Sequence, residues 1–151
     1  MFNVVLFEPE IPPNTGNIIR LCANSGCQLH LIEPLGFDMD DRLLRRAGLD
    51  YREFVDVNIH ADLNTFLQKY EPTRVFAVST KGLSNYDSYT YLPGDTFIFG
   101  PETRGLPDKV REQFEVIRIP MRAQSRSLNL ANAAAIVVYE ALRQTGFSSI
   151  R

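Results

Sequence analysis

Short apolar runs alternate with helically spaced ones along this chain. Residues 2–7, 28–32, 54–57, 75–79, 96–99 and 116–119 are rich in Val, Ile, Leu and Phe, the pattern of strands covered on both faces of a parallel sheet. Between them, residues 15–25, 39–47, 61–70, 107–113 and 129–145 carry apolar positions at helical spacing. This alternation predicts a three-layer α/β fold on a mostly parallel sheet of about six strands. No repeat, low-complexity tract or linker interrupts it, so residues 1–151 are expected to form one domain.

The final helix has the clearest pattern. Leu130, Ala133, Ala134, Val137, Val138, Ala141 and Leu142 form one stripe, with Ser127 or Asn129 as its cap and Gly146 at its end. Ala131, Ala135 and Tyr139 add a second apolar face. A terminal helix of a small domain is not covered on both sides by its own chain, so a homodimer is expected.

Composition narrows the class. With 44% hydrophobic and 23% charged residues the chain reads as an ordinary globular protein. Its apolar runs are too short to span a bilayer. The first residues read as a strand rather than a signal peptide, which makes the cytoplasm the expected compartment. Cys22 and Cys27 lack the spacing and the second ligand pair of a zinc site, so they are expected as buried small hydrophobes and no metal is expected. The net charge of −2 argues against indiscriminate nucleic-acid binding. Yet 13 of the 16 basic residues are Arg, and no acid interrupts the stretch from Val116 to Tyr139, which holds Arg118, Arg122 and Arg126. Arginine suits bidentate phosphate contact. A second cluster, Arg42, Arg45, Arg46 and Arg52, is diluted by acids and reads equally well as a solvated helix face.

Three segments carry the candidate chemistry, each at an expected strand end, where parallel sheets collect ligands. In the first, Pro12 and Pro13 stiffen the approach to a helix that Asn14 or Thr15 caps, and Asn14, Asn17, Arg20 and Asn24 recur on one face. Asn and Arg suit ribose and phosphate, although a polar stripe is also an ordinary solvent face. In the second, Gly100 and Gly105 flank Glu102 in a loop that is neither a P-loop nor a dinucleotide-binding turn. The third joins a strand end at Ile117–Ile119 through a basic loop to Ser127 and Asn129 at a helix start, where free N–H groups can meet a polar ligand. His30 and His60 have no nucleophile motif and read as a strand residue and a surface-loop residue. From the residues alone, the reading stops at a dimeric α/β domain with a polar, glycine-containing site facing RNA.

Together the segments Pro12-Pro-Asn-Thr-Gly-Asn-Ile-Ile-Arg20, Phe99-Gly-Pro-Glu-Thr-Arg-Gly-Leu106, and Ile119-Pro-Met121 followed by Ser125-Arg-Ser-Leu-Asn129 resemble the SPOUT superfamily of RNA methyltransferases. The match is nearest to its small single-domain tRNA (cytidine/uridine-2′-O)-methyltransferases of the wobble position. That resemblance implies a deep C-terminal trefoil knot, a rarity among folds. It implies S-adenosyl-L-methionine bent into the knot and held by the loop after the fourth strand (Val78, Ser79, Thr80), by Gly100, Glu102 and Gly105, and by Ile117, Ile119, Ser127 and Leu128. A side chain at either glycine is expected to take the cofactor's place. The resemblance further implies a tRNA substrate and a site shared by two subunits, with Tyr139 near their junction. Arg20, Asn14, Glu102 and Asn129 would be the catalytic set. The alternatives are another tRNA position, ribosomal RNA, or a non-catalytic RNA-binding knot protein.

Overall fold

The computed structural model describes residues 1–46 and 56–151. In chain order its elements are β1 Asn3–Phe7, α1 Pro12–Ser25, β2 Gln28–Ile32, α2 Arg42–Arg45, β3 Val57–His60, α3 Leu63–Tyr70, β4 Val75–Val78, β5 Ser84–Asn85, β6 Thr96–Phe99, α4 Asp108–Arg111, β7 Glu115–Arg118 and α5 Leu130–Gln144. The strands form one sheet in the order β3-β2-β1-β6-β4-β7-β5, and every pairing is parallel.

Alternation along β1 divides the core between two faces. Val4 and Leu6 join Ile18, Ile19, Phe97, Val137 and Val138 beneath α1 and α5. Val5 and Phe7 join Phe66, Ile98, Leu106 and Val110 beneath α3 and α4. The expected three-layer α/β arrangement is therefore present. Among the described residues the sheet has seven strands where about six were expected, and β5 is a two-residue polar strand paired to β7. The expected 54–57 strand is found as Val57–His60, and residues 54 and 55 lie outside the described residues, as do Arg52 and the end of the 39–47 helix.

Helix termini follow local chemistry, with one correction. Asn129 caps α5 as expected, accepting from the N–H groups of Ala131 at 2.9 Å and Asn132 at 3.2 Å. Gly146, at φ 69°, follows its end. Neither Asn14 nor Thr15 caps α1, which begins earlier, at Pro12. Proline fits the first turn because its missing N–H would have no intrahelical partner there. Ile11 flanks the helix without a side-chain cap.

His60 is also not a surface-loop residue. It ends β3, is buried, and shares a 3.0 Å hydrogen bond with His30 Nδ1 on the neighbouring strand. Phe66 and Tyr70 of α3 pack around the pair, and Asn3 Oδ1 lies 3.4 Å from His30 Nε2. Burial, then the neighbouring His60 and Lys69, hold the His30 imidazole down at about 4. Burial and Lys69 lower His60 as well. Above pH ~6.5 both folded and unfolded chains carry His30 neutral, and stability is full. As pH falls from there toward 4, the unfolded chain takes up a proton that the folded one excludes, and stability is lost. A loss of about 2 kcal/mol between pH 7.5 and 5.0 is expected from His30. Urea midpoints at the two pH values measure it, and an unmoved midpoint contradicts it.

Candidate active site

Strand register brings the three predicted loops together. At the carboxyl ends, Val78 of β4 lies between Phe99 of β6 and Ile117 of β7. The loops beginning at Ser79, Gly100 and Ile119 therefore leave the sheet side by side. The chain separates their starts by some twenty residues each, so strand order alone makes them neighbours.

The loops are packed backbone on backbone. Ser79 donates its N–H to the Ile117 carbonyl at 3.0 Å, and Gly82 donates to the Ser79 carbonyl at 3.2 Å. A Cβ on Gly82 would lie 2.8 Å from the Ile117 carbonyl carbon. A Cβ on Gly100 would lie 2.3 Å from the Leu106 nitrogen and 2.5 Å from the Gly105 carbonyl carbon. The expected reason for Gly100 is thereby corrected: its missing side chain makes room for its own loop folding back. Gly105, at φ 68°, makes the turn that allows this. Its missing Cβ would meet nothing within 4 Å.

Val78, Ser79 and Ile119 are half-buried, whereas Thr80, Ser127 and Leu128 are exposed. Ile117 differs, because its side chain is fully buried in the core and only its backbone faces the loops. A floor of backbone with Val78, Gly100 and Ile119 at its edge has the chemistry to hold an uncharged flat ring through amide groups and apolar contact. Two cavities of about 340 and 360 Å³ lie elsewhere, around Leu67 and Phe114 and around Cys22 and Cys27, at the amino ends of the strands.

Beside this cradle the predicted polar residues form one chain of hydrogen bonds. Glu102 accepts from the N–H groups of Glu10 at 2.9 Å and Ile11 at 2.8 Å, and from Asn14 Nδ2 at 3.2 Å. Asn14 Oδ1 in turn accepts from Asn129 Nδ2 at 3.0 Å. Asn129 Oδ1 is held by the first N–H groups of α5. Each partner fixes the next: a carboxylate only accepts, so Asn14 must turn its amide nitrogen toward it and its oxygen toward Asn129. Each of these two bonds takes one of the two N–H groups of its donating amide. Three of the roughly four acceptor positions of Glu102 are filled within the protein, so it works as a clamp. Its donors at residues 10 and 11 also serve the start of α1 in place of a side-chain cap.

Asn14 is buried, whereas Asn17, Arg20 and Asn24 lie exposed along α1. Arg20 shares α1 with Asn14 and lies about two turns further along it, exposed. Sequence reasoning missed Glu10, Thr103 and Arg104. Thr103 N–H and Oγ1 each lie 2.8 Å from Glu10 Oε1, and Arg104 lies 3.6 Å from Glu10.

Residues 1–139 match the SpoU rRNA methylase family, and the chain belongs to that family. It is 58% identical over 151 residues to a tRNA (cytidine(34)-2′-O)-methyltransferase of Saccharophagus degradans, covering 98% of each chain. A solved structure described as giving insight into the 2-OH methylation of C/U34 on tRNA superposes with a TM-score of 0.92 at 44% identity, over 97% of both chains. An rRNA methyltransferase from Sinorhizobium meliloti solved with AdoMet bound gives a TM-score of 0.83 at 26% identity, over 94% of this chain and 56% of that one.

Proposed function

We propose that this protein transfers a methyl group from S-adenosyl-L-methionine to the ribose 2′-hydroxyl of the wobble nucleotide, cytidine or uridine, of transfer RNA. The observation that carries the reading is the joining of Glu102, Asn14 and Asn129 into one oriented chain beside three converging backbone loops. The relatives' activity and near-complete coverage supply the substrate class.

Val78, Ser79, Thr80, Gly100, Gly105, Ile117, Ile119, Ser127 and Leu128 hold the cofactor, largely through backbone. When bound, S-adenosyl-L-methionine supplies an electrophilic methyl group. Asn14 and Asn129 present their remaining N–H groups to the ribose and fix the 2′-oxygen in line, and such positioning supplies up to about 7–11 kcal/mol in favourable cases. Arg20 orients the adjoining phosphate and the 2′-oxygen. A guanidinium does not give up its proton at neutral pH, so the hydroxyl proton leaves to water or to a substrate phosphate.

The chain acts as a single SPOUT domain whose C-terminal third passes through a deep knot. Two features support this: β4 is seated between β6 and β7, and Gln144 at the end of α5 is tied to the Tyr91 N–H at 2.8 Å and the Tyr89 carbonyl at 2.9 Å. Among the described residues no helix is long and apolar enough to cross a membrane, and the compartment that fits a tRNA-modifying enzyme is the cytoplasm. The functional unit is a homodimer in which a second copy covers Leu128, Ile136 and Tyr139, the exposed apolar residues at and along α5. Its solution mass is expected to be twice that of the chain, and a monomer at micromolar concentration contradicts this part of the reading.

The test of the activity is transfer of labelled methyl to total tRNA from a strain lacking the protein, beside tRNA from the parent strain. Label in the deficient tRNA alone, recovered as a 2′-O-methylated nucleoside, is expected. Absence of cofactor binding would end the reading. Cofactor binding without transfer to either tRNA would point to ribosomal RNA as the substrate or to a missing partner.

A further inference from the structure

The loop between β1 and α1 and the loop between β6 and α4 exchange carboxylates. Glu102 reaches back to the N–H groups of Glu10 and Ile11. Glu10 reaches forward to the Thr103 N–H at 2.8 Å and to Thr103 Oγ1 at 2.8 and 3.0 Å. Arg104 closes the outer side, 3.4 Å from Glu8 and 3.6 Å from Glu10. More than ninety residues separate the partners in sequence, so this is a tertiary clasp.

Its near end is held from behind. Gly36 donates its N–H to the Pro9 carbonyl at 2.9 Å. A Cβ on Gly36 would lie 2.9 Å from Glu10 Cα, so the Glu10 backbone rests directly against that turn. Glu8, at φ 50°, takes a left-handed conformation that L side chains rarely adopt. Such strain persists where the surroundings over-determine it.

Three carboxylates, Glu8, Glu10 and Glu102, gather here, the first two paired with the Arg104 guanidinium, beside a site that has to receive a polyanion. That charge is unfavourable for RNA binding, so the clasp is not an RNA contact. Its geometric output is the placement of residue 102, the immediate neighbour of Thr103. From Glu102 the order passes to Asn14 and Asn129.

We propose that Glu10 is a positioning residue: by gripping Thr103 it locks the Glu102 carboxylate at the start of α1 and so sets the orientation of the Asn14 and Asn129 amides. This rests on the methyltransferase reading for its consequence in rate, though not for its geometry. Thr103 holds Glu10 in the ionised state, its N–H and hydroxyl lowering the carboxyl below the usual range ahead of Arg104. The clasp is therefore closed throughout the neutral range.

The test compares the purified wild-type protein with Glu10→Gln, Glu10→Ala, Thr103→Val and Thr103→Ser. Methyl transfer to tRNA from the deficient strain gives kcat and KM, urea denaturation gives the folded fraction, and amide spectra follow the Asn14 and Asn129 side chains. Glu10→Gln and Glu10→Ala are expected to lower kcat on the order of tenfold to a hundredfold, as small misplacements of reacting groups do. KM for tRNA stays within about threefold, because the clasp makes no RNA contact. Thr103→Ser keeps both donors and retains wild-type kcat, whereas Thr103→Val loses the hydroxyl and falls between. The Asn14 and Asn129 side-chain amide signals shift in both Glu10 variants while the urea midpoint shows the protein folded. Unchanged kcat in the Glu10 variants, or unchanged amide signals in a folded variant, overturns the proposal. If the wild-type protein itself transfers no methyl, the functional reading fails, and the amide signals still decide whether Glu10 sets the two asparagines.

Discussion

Arg20→Ala is expected to lower kcat/KM for methyl transfer on the order of 10²–10³-fold, the loss typical of removing a charged group that stabilises a reacting oxygen. Arg20 is exposed on α1, and the urea midpoint of the variant separates a loss in rate from a loss of stability. Arg20→Lys separates geometry from charge. Lysine keeps the positive charge but loses the planar fork that grips phosphate oxygens in pairs. Most of the Arg20→Ala defect is expected to persist in it. Near-complete turnover by Arg20→Lys would mean that charge alone suffices and that paired contact is not the reason for arginine.

Gly100→Ala is expected to break cofactor binding through the loop's own backbone. The added methyl would sit 2.3 Å from the Leu106 nitrogen, far inside contact distance, so the 100–106 loop must open. Leu106 cannot follow freely, because it is buried with Val110 and Ile98 on the second face of the sheet. Overpacking of this kind costs about 1–3 kcal/mol of stability. The larger effect falls on the cradle, whose Gly100 and Glu102 sides move together. Titration with S-adenosyl-L-methionine should show at least tenfold weaker binding, with methyl transfer reduced through both cofactor and Asn14. Unaltered affinity in a folded Gly100→Ala protein would mean that this loop does not line the cofactor site.

Much of the fold was readable from periodicity. Of the α5 stripe, Leu130, Ala134, Val137, Val138, Ala141 and Leu142 are buried as their spacing requires and Ala133 is half-buried, and the apolar run at 96–99 is a central, fully buried strand. Elements without a pattern escaped. β5 consists of Ser84 and Asn85 and has no apolar signal, existing only because it meets β7. β3 was expected at 54–57 and lies later, at Val57, Asn58, Ile59 and His60: two polar residues out of four obscure its extent, and its last side chain is buried. His60 is buried by its partner His30 and by Phe66 and Tyr70, none of which is adjacent in sequence.

The site was legible in its parts but not in its wiring. Asn14, Glu102 and Asn129 stood out as residue types, and the family resemblance grouped them. Which atom of each faces which depends on α1 beginning at Pro12 rather than later, and on the carboxylate of Glu102 serving the helix start that lacks a cap. Glu10 gave no signal in sequence, since a lone glutamate in a loop is an ordinary solvent-facing residue, and Thr103 stood within the Phe99–Leu106 motif with nothing to tie it to Glu10. Gly100 was noticed for the right loop and explained by the wrong neighbour: the space it leaves is filled by Gly105 and Leu106.

Alkaline cleavage of tRNA reads methylation of the wobble ribose directly, because strand scission needs a free 2′-hydroxyl. The tRNA of the parent strain should contain molecules that resist cleavage after the wobble nucleotide. Resistance should vanish in a strain lacking the protein, return with the wild-type gene, and fail to return with Arg20→Ala. Cleavage after the wobble nucleotide that is identical in parent and deficient strains, for every tRNA, would contradict the account.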